Sequence, residues 1–293
     1  MSQFSKALRE FVASKADFSI IYSTLASSNS SGGNTSTQQA AFVTPHTQRV
    51  CVLDSSFNPP HLGHSALVEE LLRSNYDHIP NENKSLLLLL SVKNADKETD
   101  HLPLEVFEQR LDMIHLMAND LSKRFPINIS IGLTNHAKFV DKSLSIISYI
   151  EEKFPDIVTP DFKLTFLIGF DTLVRILDPK YYLPDKFSQS LENFMKKTDL
   201  FCLTRHDAVK SLTQQEGYVK EISSGKHEDI PSHWSNNIFM LPSLNEEIAN
   251  LSSSSIRKEI LSQGHGDSKW RAHVILEVAK YIDEHDIYLS TTS

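Results

Sequence analysis

From residue 49 onward, short apolar runs alternate with amphipathic stretches, and this alternation most constrains what the chain can fold into. The runs fall at 50–53, 86–92, 127–131, 164–168 and 200–203, with a weaker one at 238–241. The longest unbroken apolar stretch, Leu86 to Leu90, is strand-sized and far short of the ~20 residues that cross a bilayer. Between the runs, apolar residues recur at helical spacing. Leu67, Val68, Leu71 and Leu72 form one face, Phe107, Leu111, Ile114, Ala118 and Leu121 a second, and Ile146, Ile147 and Ile150 a third. Buried strands alternating with amphipathic helices predict an α/β fold built on a parallel, doubly wound sheet. Such sheets bind ligands at the carboxyl ends of their strands, near the point where strand order reverses. Residues that carry chemistry are therefore expected just after the apolar runs.

The rest of the chain reads differently. Residues 27–39 are all small or polar, S-S-N-S-S-G-G-N-T-S-T-Q-Q, and cannot bury a core. This predicts a helix-and-strand extension over 1–26 (Leu8, Phe11 and Val12, then Phe18 to Tyr22), a flexible linker over 27–48, and a main domain over 49–293. The polar stretch 207–236, with Gly225 and Pro231, reads as an irregular excursion. Lys plus Arg total 29 against 37 Asp plus Glu, a net charge of −8, so the chain lacks the basic surplus of a general nucleic-acid binder. Any phosphate site must be assembled locally from a few cations and backbone amides. Cys51 and Cys202 both sit inside apolar runs, which suggests buried thiols and a reducing, cytoplasmic or nuclear compartment. No membrane association is expected, and no pattern indicates an oligomeric state.

Three stretches carry candidate chemistry. The first is Val50-Cys-Val-Leu-Asp54-Ser55-Ser56-Phe57-Asn58-Pro59-Pro60-His61-Leu-Gly63-His64. With thirteen histidines in 293 residues, about half an H-x-x-H pair arises by chance, so spacing alone says little. The context is informative: a strand, a Pro-Pro turn and a helix opening on His-x-Gly-His place two imidazoles and several free amides at an anion-attracting helix start. Gly63 leaves room for a ligand near the backbone. The second is Leu251-Ser252-Ser253-Ser254-Ser255-Ile256-Arg257. Its serines can cap a helix, and Arg257, expected in the first turn, opposes the helix dipole unless an anion sits beside it. The third is Leu164 to Asp171, a buried strand running into Gly169 and the carboxylate of Asp171.

In order and separation, these stretches resemble the nicotinamide/nicotinate mononucleotide adenylyltransferases of the nucleotidylyltransferase superfamily. S-S-F-N-P-P-H-L-G-H, G-F-D and S-S-S-S-I-R match that family's three motifs, and the wording is most similar to a fungal branch. Weaker echoes are Ser91-Val-Lys93-Asn-Ala-Asp-Lys97, Arg110-Leu-Asp-Met113 and Thr204-Arg205. The resemblance spans roughly residues 49–285. It implies a Rossmann-like sheet of the nucleotidylyltransferase type and adenylyl transfer from ATP to nicotinamide mononucleotide, giving NAD and pyrophosphate. It further implies that His61, His64 and Arg257 are catalytic. Ser55, Ser56, Phe57, Gly63, Gly169, Asp171, Ser253, Ser254 and Ile256 would bind ATP. Asn58, Lys97, Phe107 and Arg205 would bind the acceptor. Mg²⁺ would arrive with ATP and take few direct protein ligands, none of which is assigned. Two departures stand out. Ser55 replaces the family's usual Gly and is expected to reshape the triphosphate end, and Phe107 stands where vertebrate-type members place a Trp. An adenylyltransferase with another phosphate acceptor, or a nucleotide-binding regulator or slow ATPase, remains an alternative.

Overall fold

A computed structural model describes residues 2–24, 41–92, 103–205, 211–243, 245–265 and 269–289. Six parallel strands form the sheet: β2 (Arg49–Asp54), β3 (Lys84–Ser91), β4 (Asn128–Thr134), β5 (Lys163–Gly169), β6 (Thr198–Leu203) and β7 (Ile238–Leu241). β1 (Phe18–Ser23) adds antiparallel to β4 at one edge, and the full order is β1-β4-β3-β2-β5-β6-β7. Without β1, the parallel strands run outward from β2 in both directions. The doubly wound expectation is met, and the strand order reverses between β2 and β5, whose carboxyl ends are the predicted ligand crevice.

Side chains of the central strands alternate between two cores because successive Cβ atoms point to opposite faces. Val50 and Val52 of β2, Leu87 and Leu89 of β3, and Leu164, Phe166 and Ile168 of β5 face one side. They pack against α4 (Phe139–Lys153), α5 (Phe170–Ile176), α6 (Phe187–Lys197) and α7 (Leu212–Ser223). Cys51, Leu53, Leu86, Leu88, Leu90 and Leu167 face the other, against α1 (Ser5–Ser14), α2 (Leu62–Ser74) and α3 (Leu104–Arg124). The three helical faces read from the sequence are buried in these two cores, apart from the half-buried Leu67. A third core forms at the C-terminus. Trp270, Ile256, Ile260, Val278 and Ile282 pack around Met113 of α3, joining α9 (Ser253–Gln263) and α10 (Leu276–Glu284) to the domain. One short helix, α8 (Glu246–Ala249), lies just before α9, and the free thiols Cys51 and Cys202 lie buried in β2 and β6. Burial pushes the Cys51 thiol up to about 12.

Three sequence readings are revised. The extension is part of the sheet: α1 packs on α3 and β1 covers an edge strand. The linker is shorter than 27–48, because Phe42, Val43 and Thr47 are buried at its C-terminal end. Finally, 207–236 contains helix α7. Its polar composition hid a capping box in which Ser211 Oγ accepts from the Gln214 amide at 3.3 Å and Gln214 Oε1 accepts from the Ser211 amide at 2.9 Å. Buried Gln215, Tyr218 and Ile222 supply its inner face.

At the end of the sheet opposite the crevice lies a charge cluster. Lys84 at the start of β3 is fully buried and pairs with Asp77 at 2.9 Å. Arg49 reaches Asp77 at 3.7 Å and Asp199 at 3.9 Å, and Lys163 pairs with Asp199 at 2.9 Å. Removing one partner of a buried pair strands the other charge, at about 3–5 kcal/mol. Asp77→Asn should lower unfolding free energy in urea by about that amount. The double variant Asp77→Leu/Lys84→Met should recover most of the loss.

Candidate functional site

Strand β2 ends at Asp54, whose carboxylate is held by the buried Lys142 ammonium at 2.5 Å. The chain then turns sharply. Phe57 adopts a left-handed φ of 45°, a conformation that costs a non-glycine residue about 1 kcal/mol or more. Its ring is fully buried, which holds the turn. The Asn58–Pro59 peptide is cis, and His61 begins α2 as its N-cap.

The two histidines cap this helix jointly. His61 Nδ1 accepts from the Gly63 amide at 3.1 Å, and His64 Nδ1 accepts from the His61 amide at 3.0 Å. A ring nitrogen that accepts carries no proton, so both imidazoles are neutral tautomers with hydrogen on Nε2. Electrostatics agree: burial lowers the His61 pKa well below the usual histidine value and takes His64 down to about 3, with Arg205 adding to both. The rings lie 3.9 Å apart at 36°. His64 Nε2 donates to Ser55 Oγ at 2.9 Å, leaving the serine O–H free to donate onward. Position 63 admits only glycine, because a Cβ there would lie 2.9 Å from the His61 ring and 3.3 Å from the Ile248 carbonyl.

The opposite wall comes from the distant S-S-S-S-I-R stretch. Ser252 is the N-cap of α9 and accepts from the Ser255 amide at 3.1 Å. Ser253 Oγ donates to the Pro59 carbonyl at 2.8 Å, and Arg257 Nη1 donates to the Asn58 carbonyl at 2.5 Å. Arg257 lies just past the first turn of α9 rather than within it, and its side chain reaches across to the first motif. Two helix starts, at His61–His64 and Ser252–Ser254, therefore face one cavity of about 480 Å³. That is a small-molecule volume, with backbone donors suited to anions. Arg110, Arg175, Arg205 and Arg257 also line it. Its two carboxylates, Asp54 and Asp171, are both in ion pairs. The local cationic site required by an acidic chain is thus present.

The third stretch forms the far side. Gly169 and Asp171 follow β5, and Arg205 follows β6. Arg205 Nη1 pairs with Asp171 at 3.3 Å, while its Nε and Nη2 donate to the carbonyls of Ala249 and Leu251. Arg205 thus flanks Asp171, the residue expected to bind ATP, and ties the 249–251 backbone in place. A Cβ at Gly169 would meet Asp171 Oδ1 at 2.9 Å and Arg205 Cδ at 3.2 Å, so this corner is closely packed.

Of the predicted site residues, His61, His64, Ser55, Ser56, Asn58, Gly63, Gly169, Asp171, Arg205, Ser253, Ser254 and Arg257 line the cavity together. Phe57, Phe107 and Ile256 do not. Phe57 backs the His64 ring at 5.0 Å, Phe107 is buried in the core beneath the Arg110 guanidinium, and Ile256 is buried against the C-terminal core. Each lies on the apolar side of its turn or helix, where burial decides its placement. Lys97 lies outside the described residues. Other residues of the site carry no role in the sequence reading. Arg110 lines the cavity from α3 and Arg175 from α5. Tyr288, near the end of the described chain, donates its hydroxyl to Asn58 Oδ1 at 2.5 Å. No periodicity or motif marks Tyr288, whose contact spans 230 positions.

With this geometry in view, the comparisons with known proteins agree. Residues 52–259 match the model of the cytidylyltransferase-like family. A Schizosaccharomyces pombe protein with the provisional name nicotinamide mononucleotide adenylyltransferase is 30% identical over 240 residues, covering 80% of this chain and 86% of that protein. The fold is similar to Plasmodium falciparum nicotinic acid mononucleotide adenylyltransferase, solved complexed with APC and with NaAD. Both superpose with a TM-score of 0.51 at 13% and 12% identity, over 84% of this chain and 100% of theirs. A switch-point cavity lined by His61, Gly63, His64, Ser253, Ser254 and Arg257, with a family match across both motifs, shows that the chain belongs to the cytidylyltransferase-like family of nucleotidyltransferases, among its nicotinamide/nicotinate mononucleotide adenylyltransferases.

Proposed function

We propose that this protein transfers the adenylyl group of ATP to nicotinamide mononucleotide, releasing NAD and pyrophosphate. The observation that carries the proposal is the joint placement of the neutral His61–His64 pair, Ser253, Ser254 and Arg257 around one cavity. The provisional name of the S. pombe relative favours the amidated acceptor.

The acceptor's phosphate oxygen attacks the α-phosphorus of ATP, a new P–O bond forms, and the bond to the β-phosphate bridging oxygen breaks. The attacking phosphate is already ionised at neutral pH, so no general base is needed and catalysis reduces to positioning and charge stabilisation. Adenosine lies against Gly169 and Asp171, and the phosphates cross the histidine pair. The Nε2–H of His61 and the Ser55 hydroxyl, itself oriented by His64, donate to phosphate oxygens. Arg257 and the α9 N-terminus take the charge that develops on pyrophosphate. Because both imidazoles are neutral, each remains a donor and neither must exchange a proton during turnover. Magnesium would enter with the triphosphate, and Asp54 and Asp171, the two carboxylates of the cavity lining, are already engaged by Lys142 and Arg205. When bound, it would neutralise phosphate charge.

Incubation with ATP, Mg²⁺ and nicotinamide mononucleotide should yield NAD and pyrophosphate in equal amounts. Pyrophosphate release only with a different acceptor, or ADP formation without NAD, would overturn the assignment. His64→Ala should lower kcat by about 10²-fold or more with the fold retained by circular dichroism. A neutral buried histidine also shapes acid stability. Above pH 6.5 the folded and unfolded chains both hold His64 neutral, so it adds no pH dependence there. As pH falls from 6.5 toward 3, the unfolded chain takes up a proton that the folded site refuses, and stability is lost at up to about 1.4 kcal/mol per pH unit. His61 acts with the same sign. Urea unfolding at pH 7.5, 6 and 5 should show a shallower acid decline for His64→Gln than for the natural chain.

A further inference from the structure

Arg110 is a buried cation whose charge has no counter-ion among the described residues. The residue is 8% exposed, and its Nε has no hydrogen-bond partner. Among the described residues no carboxylate pairs with it. The guanidinium carbon lies 5.3 Å from the Phe107 ring, and Tyr288 and Arg257 are close enough to act on its charge. Arg257 is a second cation, so the pair repel. A guanidinium cannot escape this by losing its proton, because its pKa stays far above neutrality. Buried charge without a counter-ion is strongly unfavourable, and the free edge of this one opens on the cavity.

We infer that Arg110 anchors a phosphate subsite for the acceptor substrate, completed by the amide of Asn58. The Asn58 side chain is oriented for this: Tyr288 Oη donates to its Oδ1 at 2.5 Å, so the Nδ2 group is left as a donor at the cavity wall. Topology selects the acceptor over the triphosphate. β3 and β5 flank β2 on opposite sides. Asp171 and Gly169 follow β5, whereas Arg110 stands on α3, the helix following β3. A triphosphate laid from the β5 side across His61 and His64 leaves the Arg110 side for the second substrate. The ligand is thus a phosphomonoester dianion, bound by a guanidinium and a carboxamide rather than by a helix start. This assignment rests on the mononucleotide acceptor proposed above.

The test compares the natural chain with Arg110→Met, using titration calorimetry with nicotinamide mononucleotide, nicotinamide riboside, ATP and pyrophosphate. Arg110→Met removes an unpartnered buried charge, so its Tm should match or exceed that of the natural chain. Its affinity for the mononucleotide should fall about 10- to 100-fold, the range for losing a charge-assisted contact. Affinity for the riboside, which lacks the phosphate, should not change, and ATP should bind within about twofold. Arg110→Lys should recover part of the loss and serves if the methionine variant fails to fold. Unchanged mononucleotide binding overturns the inference, as does a loss confined to ATP and pyrophosphate. The proposed reaction can fail separately. If the natural chain makes no NAD while inorganic phosphate raises its Tm but not that of Arg110→Met, the phosphate subsite stands and the acceptor must be another phosphomonoester.

Discussion

The site depends on one reciprocal arrangement at the start of α2. Each histidine gives its Nδ1 to a backbone amide that the helix would otherwise leave unsatisfied, and each is thereby fixed as a neutral Nε2–H donor. Burial reinforces this by disfavouring the protonated rings. The same hydrogen bonds thus begin the helix and set the protonation state of the groups that face the cavity. Gly63 belongs to this arrangement, because any side chain there would displace the His61 ring.

The turn between β2 and α2 forms only one wall of the cavity, and parts of the chain nearly two hundred positions away close the other. Ser253 and Arg257 donate to the carbonyls of Pro59 and Asn58, and Tyr288 donates to the Asn58 side chain. These bonds pin the turn between β2 and α2, where Phe57 sits in an unfavourable backbone region. The C-terminal core around Trp270 and Met113 is what positions the donors. The helical lobe therefore serves as the second wall of the site.

Much of this was legible in the sequence. Short continuous apolar runs located the parallel strands, period-3.6 patterns located α2, α3 and α4, and the polar motifs after β2 and β5 and before α9 supplied most of the cavity residues. The misreadings have identifiable causes. Helix α7 was hidden because Gln215 is buried and hydrogen-bonded to the Arg205 backbone, so an inner position did not look apolar. Phe107 looked available for ring stacking, but its place on the apolar face of α3 put it in the core. Ser55 was legible as a cavity residue that departs from the family's glycine, but the role of its hydroxyl as the acceptor for His64 Nε2 was not.

The sequence by itself determined the doubly wound sheet, the crevice at its switch point and the identity of the histidine pair, because these follow from local periodicity and from residues close together along the chain. Only the tertiary structure decided that Arg110 and Tyr288 belong to the site, that Arg205 stands beside Asp171, and that Arg257 closes on Asn58. Those contacts join segments separated by tens to hundreds of residues, and their strength comes from burial and electrostatic neighbours that no local pattern encodes.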